Sequence, residues 1–286
     1  MFFNTIKTAI LLAVLTALVI VIGGYFGGTQ GMVMAFIFAL LMNFISFWFS
    51  DKIVLAMYRA KEVDRSQAPQ LYTIVERIIS RTELPMPKIY MVPSKTPNAF
   101  ATGRNPQHAV VAVTQGIMNL LNEEELEAVL AHELSHVRHR DTLIATIAAV
   151  LAGAITMLAY MFRWAALFGG GGNREGRRGG GLELIALAIV APIAALLIQL
   201  AISRSREYMA DEGSADLTRR PLALANALRR LEEGVSARPM LEAKPSTASL
   251  FIVNPIRGSF MVSLFSTHPP VERRVARLEK LAQEMR

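Results

Sequence analysis

The sequence predicts a mostly helical α+β protein, part multi-pass membrane protein and part water-soluble domain with a small β-sheet. Three observations carry this. Of 286 residues, 52% are hydrophobic and only 19% charged, against about a quarter charged in an ordinary soluble domain. Two runs, Thr8–Phe26 and Met32–Ser50, hold 19 residues each without a charge, close to the roughly 20 needed to cross a bilayer core. The charged stretches between the apolar ones show both helical and strand periodicity.

The elements follow in chain order. Gly27–Gly31 is too short and too polar to be anything but a hairpin turn, so residues 1–50 are expected to form an N-terminal transmembrane hairpin. A cleavable signal peptide is the alternative, but only Lys7 precedes the first run and no convincing small-residue cleavage site follows it. Residues 51–142 form the first part of the soluble domain. There Pro69 opens a helix on which Leu71, Ile74, Val75, Ile78 and Ile79 recur at helical spacing. Lys88–Val92 and Ala109–Thr114 are short strands around a turn-rich stretch with Pro93, Pro97, Gly103 and Pro106. Asn122 caps a further helix, with Glu125 three residues on as a capping box. A second apolar pair, Leu143–Phe162 and Leu184–Ile202, makes residues 143–202 a hairpin that either spans the bilayer or dips into it, around a Gly/Arg-rich loop at 169–181. Residues 203–286 return to water with more helix after Arg206, a polar stretch with Pro239 and Pro245, and a terminal helix after Pro270.

Charge and composition exclude several classes of function. The net charge is +7. Asp51–Thr142 holds 11 Lys/Arg and Ser203–Arg286 holds 14, which places both soluble parts in the cytoplasm by the positive-inside rule. The basic stretch Asn173–Arg178 lacks interleaved aromatics and suits a flexible linker, so no nucleic-acid partner is expected. No ionisable residue lies in the apolar runs between Thr8 and Ser50, which argues against a transporter or channel. Among the polar side chains there, Asn43 needs only a bond between packed helices. Cysteine is absent, so there is no disulfide framework, and a metal site must use His and carboxylates.

Such a site is legible on the capped helix. His132-Glu133-Leu134-Ser135-His136 sets two imidazoles four residues apart, on one helix face, where both reach one zinc ion. Glu133 beside them is placed as general base: it takes a proton from the attacking water, whose pKa zinc lowers to roughly 7, and delivers it to the leaving amine. Zinc needs a third protein ligand. His139 lies about 10 Å along the axis from His132, too far for one ion unless the helix breaks. Glu207 is the better candidate. It lies four residues before Asp211, which would accept from a ligand imidazole N–H. The second hairpin must return to the side it left, and so delivers the His pair and the Glu207/Asp211 pair to one membrane face. A solvated acidic face is the alternative reading of Glu207 and Asp211.

His132 to His136, Glu207-Tyr208-Met209-Ala210-Asp211, Asn98-Ala99-Phe100-Ala101-Thr102-Gly103 and Ser266-Thr267-His268-Pro269-Pro270 together resemble the HtpX family of bacterial membrane zinc metalloproteases. The pentapeptide alone is shared by many unrelated proteases; the set is specific, and the resemblance covers essentially the whole chain. It implies a gluzincin-like endopeptidase of the bacterial inner membrane, with the active site facing the cytoplasm, that degrades damaged or misassembled membrane proteins in quality control. One zinc ion per chain is implied on His132, His136 and Glu207, with Glu133 as general base. Asn98, Ala99 and Phe100 are expected to bind an extended substrate as an edge strand. His268 is a catalytic candidate, donating to the oxyanion with Arg273 as support, or else a cap for the terminal helix; Tyr208 is another donor candidate. The CAAX prenyl proteases share the ligand pattern, but four apolar segments rather than a large helical chamber place this chain on the bacterial side. A non-catalytic membrane zinc-binding scaffold is the rival function.

Overall fold

The computed structural model describes residues 2–153, 204–240, 242–244, 246–256 and 269–285. The second apolar pair beyond Gly153, its loop at 169–181 and His268 lie outside them. Helix α1 (Phe2–Met57) joins two helices across a kink at Gly28, where φ is 57° and ψ −147°. The two halves pack against each other. A Cβ on Gly23 would sit 2.6 Å from the Gly31 carbonyl oxygen and 2.4 Å from the Cβ of Ala35. Farther along, Asn43 Nδ2 donates to Thr16 Oγ1 at 2.8 Å. Small residues at the contact and a polar bond beyond it are the devices by which helices associate in lipid. The second half, Gly27–Met57, is long and apolar enough to cross a membrane, and its large apolar side chains from Met32 to Phe49 are mostly exposed.

The sheet has four strands: β1 (Lys61–Glu62), β2 (Lys88–Val92), β3 (Ala99–Thr102) and β4 (Val110–Thr114), in the order β1-β2-β4-β3. β2 runs parallel to β4, and β3 pairs with β4 antiparallel in the register Phe100↔Ala112. Helices α2 (Pro69–Ile79), α3 (Gln115–Leu120), α4 (Glu123–His139), α5 (Thr142–Gly153), α6 (Arg204–Thr218), α7 (Pro221–Ala237) and α8 (Val271–Glu284) complete the described elements.

Both faces of the sheet are covered, which explains why β4 is an unbroken buried run, Val-Val-Ala-Val-Thr. Ile89, Ala99, Ala101, Val111 and Val113 face the main core, with α2, α4, α7 and α8. Val92, Phe100, Val110 and Ala112 face a second core built from the end of α1 (Val54, Leu55, Tyr58), Ala149 of α5 and Leu250–Phe251. There Phe251 meets Tyr58 and Phe100 edge-on, at ring separations of 5.0 and 5.1 Å. The apolar N-terminal helix is thus packed directly on the sheet. β3 was not expected from residue periodicity. Its four residues are buried on both faces, so no alternation marks it, and prolines flank it.

Candidate metal centre

α4 is the central helix. The Asn122 side chain accepts from Glu125 N at 2.9 Å, and Glu125 Oε2 accepts from Asn122 N at 3.0 Å. Three acidic residues fill the first turn and basic ones the last, matching the helix dipole. The helix ends after His139 with Arg140 in the left-handed region, φ 59°, and Asp141 leads into α5. α6 lies against α4. Gly213 makes this approach possible, because a Cβ there would stand 2.6 Å from Ser135 Oγ. Ser214 Oγ bonds the Ala128 carbonyl across the same contact at 2.7 Å.

This packing brings His132, His136 and Glu207 together: one ligand atom from each lies within 4.8 Å of the others. The two Nε2 atoms are 3.2 Å apart, His136 Nε2 is 3.5 Å from Glu207 Oε1, and His132 Nε2 is 3.7 Å from Glu207 Oε2. Donors about 2.0–2.1 Å from a tetrahedral zinc stand roughly 3.3 Å from one another. The donor set and its spacing therefore fit such an ion. His139, half-buried at the end of α4, is not in the group.

The imidazoles are held from behind. His132 Nδ1 lies 3.0 Å from Asp211 Oδ1, one turn of α6 beyond Glu207. His136 Nδ1 lies 3.4 Å from Asp141 Oδ2, and Arg206 reaches the other oxygen of Asp141 at 3.4 Å. Arg274 of α8, 1% exposed, grips Asp211 with two bonds, Nη2 to Oδ1 at 2.6 Å and Nε to Oδ2 at 3.0 Å. Its Nη1 donates to the Ile252 carbonyl at 3.0 Å and lies 3.8 Å from Glu207 Oε2. Neither Asp141 nor Arg274 was singled out from the sequence. A signal for Arg274 did exist: Val271, Arg274, Val275 and Leu278 form the buried face of α8, so an arginine occupies a position where the helical period asks for an apolar residue.

Electrostatics follow from burial. Burial raises the Asp211 carboxyl, but Arg274 and the His132 bond outweigh it and hold the group below its ordinary range. Burial pushes His132 down to about 4, leaving it neutral and ready to ligate. Burial pushes Glu133 up to about 8, against the charge of His136 and with that of Glu207. His136 is disfavoured as a cation by burial, yet the Asp141 bond and the Glu207 and Glu133 charges raise it to about 9. Glu133, Glu207 and Asp211 surround the Arg274 guanidinium, and Asp141 faces Arg206, so buried carboxylates outnumber guanidinium groups. Arg274→Met removes the two bonds that hold Asp211 against His132 and should weaken metal binding by roughly 10- to 100-fold, as loss of a ligand's supporting bonds typically does. It should also destabilise the fold by about 3–5 kcal/mol, because Asp211 is left as an unpaired buried charge. Combining it with Asp211→Asn should cost less than the sum in thermal unfolding and metal titration; simple additivity would show that the pair is not coupled.

Glu133 points between the triad and the sheet, its Oε2 accepting from Ala101 N at 2.8 Å. Ala99 and Ala101 both turn backbone groups away from β4, but the outer edge of β3 is partly covered. Ile252 N donates to the Ala99 carbonyl at 3.2 Å. Ala99 N bonds the Asn98 side chain at 3.1 Å, and Asn98 Nδ2 donates to the Val253 carbonyl at 2.7 Å. Phe100 is buried in the second core. The cleft beside the triad is lined by Ala101, Ala145 and Leu250–Ile252 opposite Asp141 and Arg206. Tyr208 stacks under Arg277, 4.4 Å from its ring centre, so it packs toward α8.

Comparison with known proteins shows the family. Residues 65–282 match the model of peptidase family M48. The chain is 54% identical over 281 residues to a Thermococcus kodakarensis protein named protease HtpX homolog, covering 98% of this chain and 97% of that one. A Syntrophobacter fumaroxidans protein of the same name is 55% identical, with 96% and 98% covered. In fold the chain resembles the crystal structure of S. mikatae Ste24p, with a TM-score of 0.52 at 16% identity, covering 97% of this chain and 65% of that one. The chain belongs to peptidase family M48 and, within it, to the HtpX proteases.

Proposed function

We propose that the protein is a zinc-dependent endopeptidase, held in the bacterial inner membrane by several spans, whose site faces the cytoplasm and cuts damaged or misassembled membrane proteins. The convergence of His132, His136 and Glu207 beside Glu133 carries this reading. When bound, zinc supplies a Lewis acid that polarises the scissile carbonyl and makes water acidic enough to be deprotonated near neutral pH.

The chain's own residues do the rest. His132 and His136 present Nε2 to the site because Asp211 and Asp141 take the Nδ1 side. Glu133 removes a proton from the attacking water and returns it to the departing amine, and the Ala101 N–H fixes the carboxylate's orientation for that transfer. Water is the nucleophile, so no acyl-enzyme forms. An extended substrate is proposed to pair with the Ala101 carbonyl of β3, because the Ala101 N–H holds Glu133 and Asn98 and Ala99 are engaged by Val253 and Ile252. His268 remains the proposed oxyanion donor.

The test is cleavage of a denatured membrane protein by the detergent-purified chain, stripped of metal and then resupplied with zinc. Cleavage at internal bonds should vanish on stripping and return with zinc. Activity indifferent to stripping would sink the metal mechanism, and one tightly bound zinc without cleavage would favour a scaffold.

A further inference from the structure

The two apolar elements reach the sheet at one level, and the residues there are cationic. Near the end of the apolar run of α1, Trp48 and Phe49 are exposed by 45% and 41%, the position that amphipathic rings take at headgroup depth. The Arg104 guanidinium lies 4.7 Å from the centre of the Trp48 ring, and Lys52 Nζ lies 5.5 Å from that of Phe49. The second marker is independent. α5 begins its apolar run at Thr142, whose Oγ1 donates to the Gly103 carbonyl at 3.0 Å, one residue before Arg104. One turn on, Thr146 Oγ1 is 3.0 Å from Thr102 Oγ1, at the end of β3. Arg140 is exposed two residues ahead of α5.

Lys52 and Arg104 thus sit on the exposed rings at the end of the apolar run of α1, and Arg140 lies two residues before the Thr142 that holds Gly103 beside Arg104. Among the described residues, none of the three is paired with a carboxylate; the polar side-chain partner of Arg104 is His108 Nε2 at 2.7 Å. Three cations without counter-charges beside exposed aromatics are complementary to an anionic lipid surface. We propose that Lys52, Arg104 and Arg140 form a rim that binds anionic phospholipid headgroups and seats the exit of β3, with the cleft beside it, on the bilayer surface. This rests on the reading that α1 lies in the membrane. Its consequence is a substrate class: segments that have just left the lipid, which meet Ala101 without crossing open water.

The test uses the full chain in liposomes of phosphatidylcholine, with or without phosphatidylglycerol. One peptide is offered free and also tethered to the bilayer through an acyl chain. A cation near an anionic surface contributes about 1 kcal/mol, or about fivefold. The parent should cleave the tethered peptide at least about fivefold faster with phosphatidylglycerol present, and added salt should erase the difference. The Lys52→Gln/Arg104→Gln/Arg140→Asn variant should respond to neither lipid nor salt while keeping the parent's rate on the free peptide. Asn suits the left-handed backbone at residue 140, and Arg104→Lys should keep the response. Phosphatidylglycerol should also co-purify with the parent and not with the triple variant, by mass spectrometry. A triple variant that keeps the lipid response, or a parent that shows none, overturns the rim; binding of an acidic protein instead would appear as that second result. Failure to cleave the free peptide would strike the peptidase reading, and release of the chain from liposomes by carbonate would strike the membrane reading, with lipid co-purification still deciding the rim.

Discussion

Glu133→Gln is expected to lower kcat by about 10³-fold, within the roughly 10²–10⁴ that a positioned general base contributes, while bound metal is unchanged. The substitution is close to isosteric. Its amide oxygen can still accept from Ala101 N, the bond that now orients Oε2 at 2.8 Å, so the strand and the cleft wall should stay in place. What disappears is a group that can take a proton. Measuring kcat and KM on one peptide, with metal content determined in parallel, separates the possibilities. A fall in kcat at constant KM and constant metal fits a base acting in the transition state. Undiminished turnover would remove Glu133 from the chemistry, and loss of the metal together with the activity would make it part of the binding site.

Glu133 also lies between the sheet and the helices of the second half of the soluble domain. Its carboxylate touches the sheet at Ala101, and its neighbours on α4 touch α6 and α8 through His132, Asp211 and Arg274. Arg274 then closes a circuit: its Nη1 holds the Ile252 carbonyl, while Ile252 N holds Ala99. The Leu250–Val253 segment is therefore bonded to the edge strand on one side and, through Arg274, to the carboxylate behind His132 on the other. Tyr58, just past the end of α1, adds the apolar helix to the same circuit, its ring against Phe251 and its hydroxyl bonded to Thr247.

The parts of this arrangement that were legible in the sequence are those with a local signature. Asn122 and Glu125 announce the start of α4, and the periodicity from Pro69 to Ile79 and the apolar run of β4 follow from burial on one face and on two faces respectively. The His pair is legible because helix geometry alone stacks residues four apart. Glu207 is reached through its spacing to Asp211, through where the chain returns after residue 143, and through the family resemblance. What escaped depends on tertiary contact with no local trace. Asp141 and Arg274 are charged residues among others of their kind, distinguished only by what packs on them. β3 lacks alternation because small residues are covered on both faces. The covering of Ala99 by Ile252, over 150 residues away in the chain, follows from no local pattern, which is why Asn98–Phe100 looked like an open edge.

Glu207→Ala should reduce metal affinity by more than about 100-fold, and His139→Ala should leave it within a factor of about two. Four-ligand zinc sites bind with roughly 10–16 kcal/mol, about 3 kcal/mol for each ligand, and about 1.4 kcal/mol is tenfold. The position is also costly to empty, since Glu207 is 3% exposed and Arg274 lies within 3.8 Å of it. Removing its charge leaves His132 and His136 with only the carboxylates behind them, and two imidazoles on one helix hold a divalent ion weakly. His139 serves as the internal control. It shares the helix and the imidazole chemistry of the ligands, yet it lies beyond the ligand group and next to the turn at Arg140. Competition with a chromogenic zinc chelator on the full chain in detergent gives both affinities in one experiment. If the Glu207 variant bound zinc as the parent does and the His139 variant did not, the third ligand would lie at the end of α4. The approach of α6 to α4 at Gly213 would then need a purpose other than metal binding.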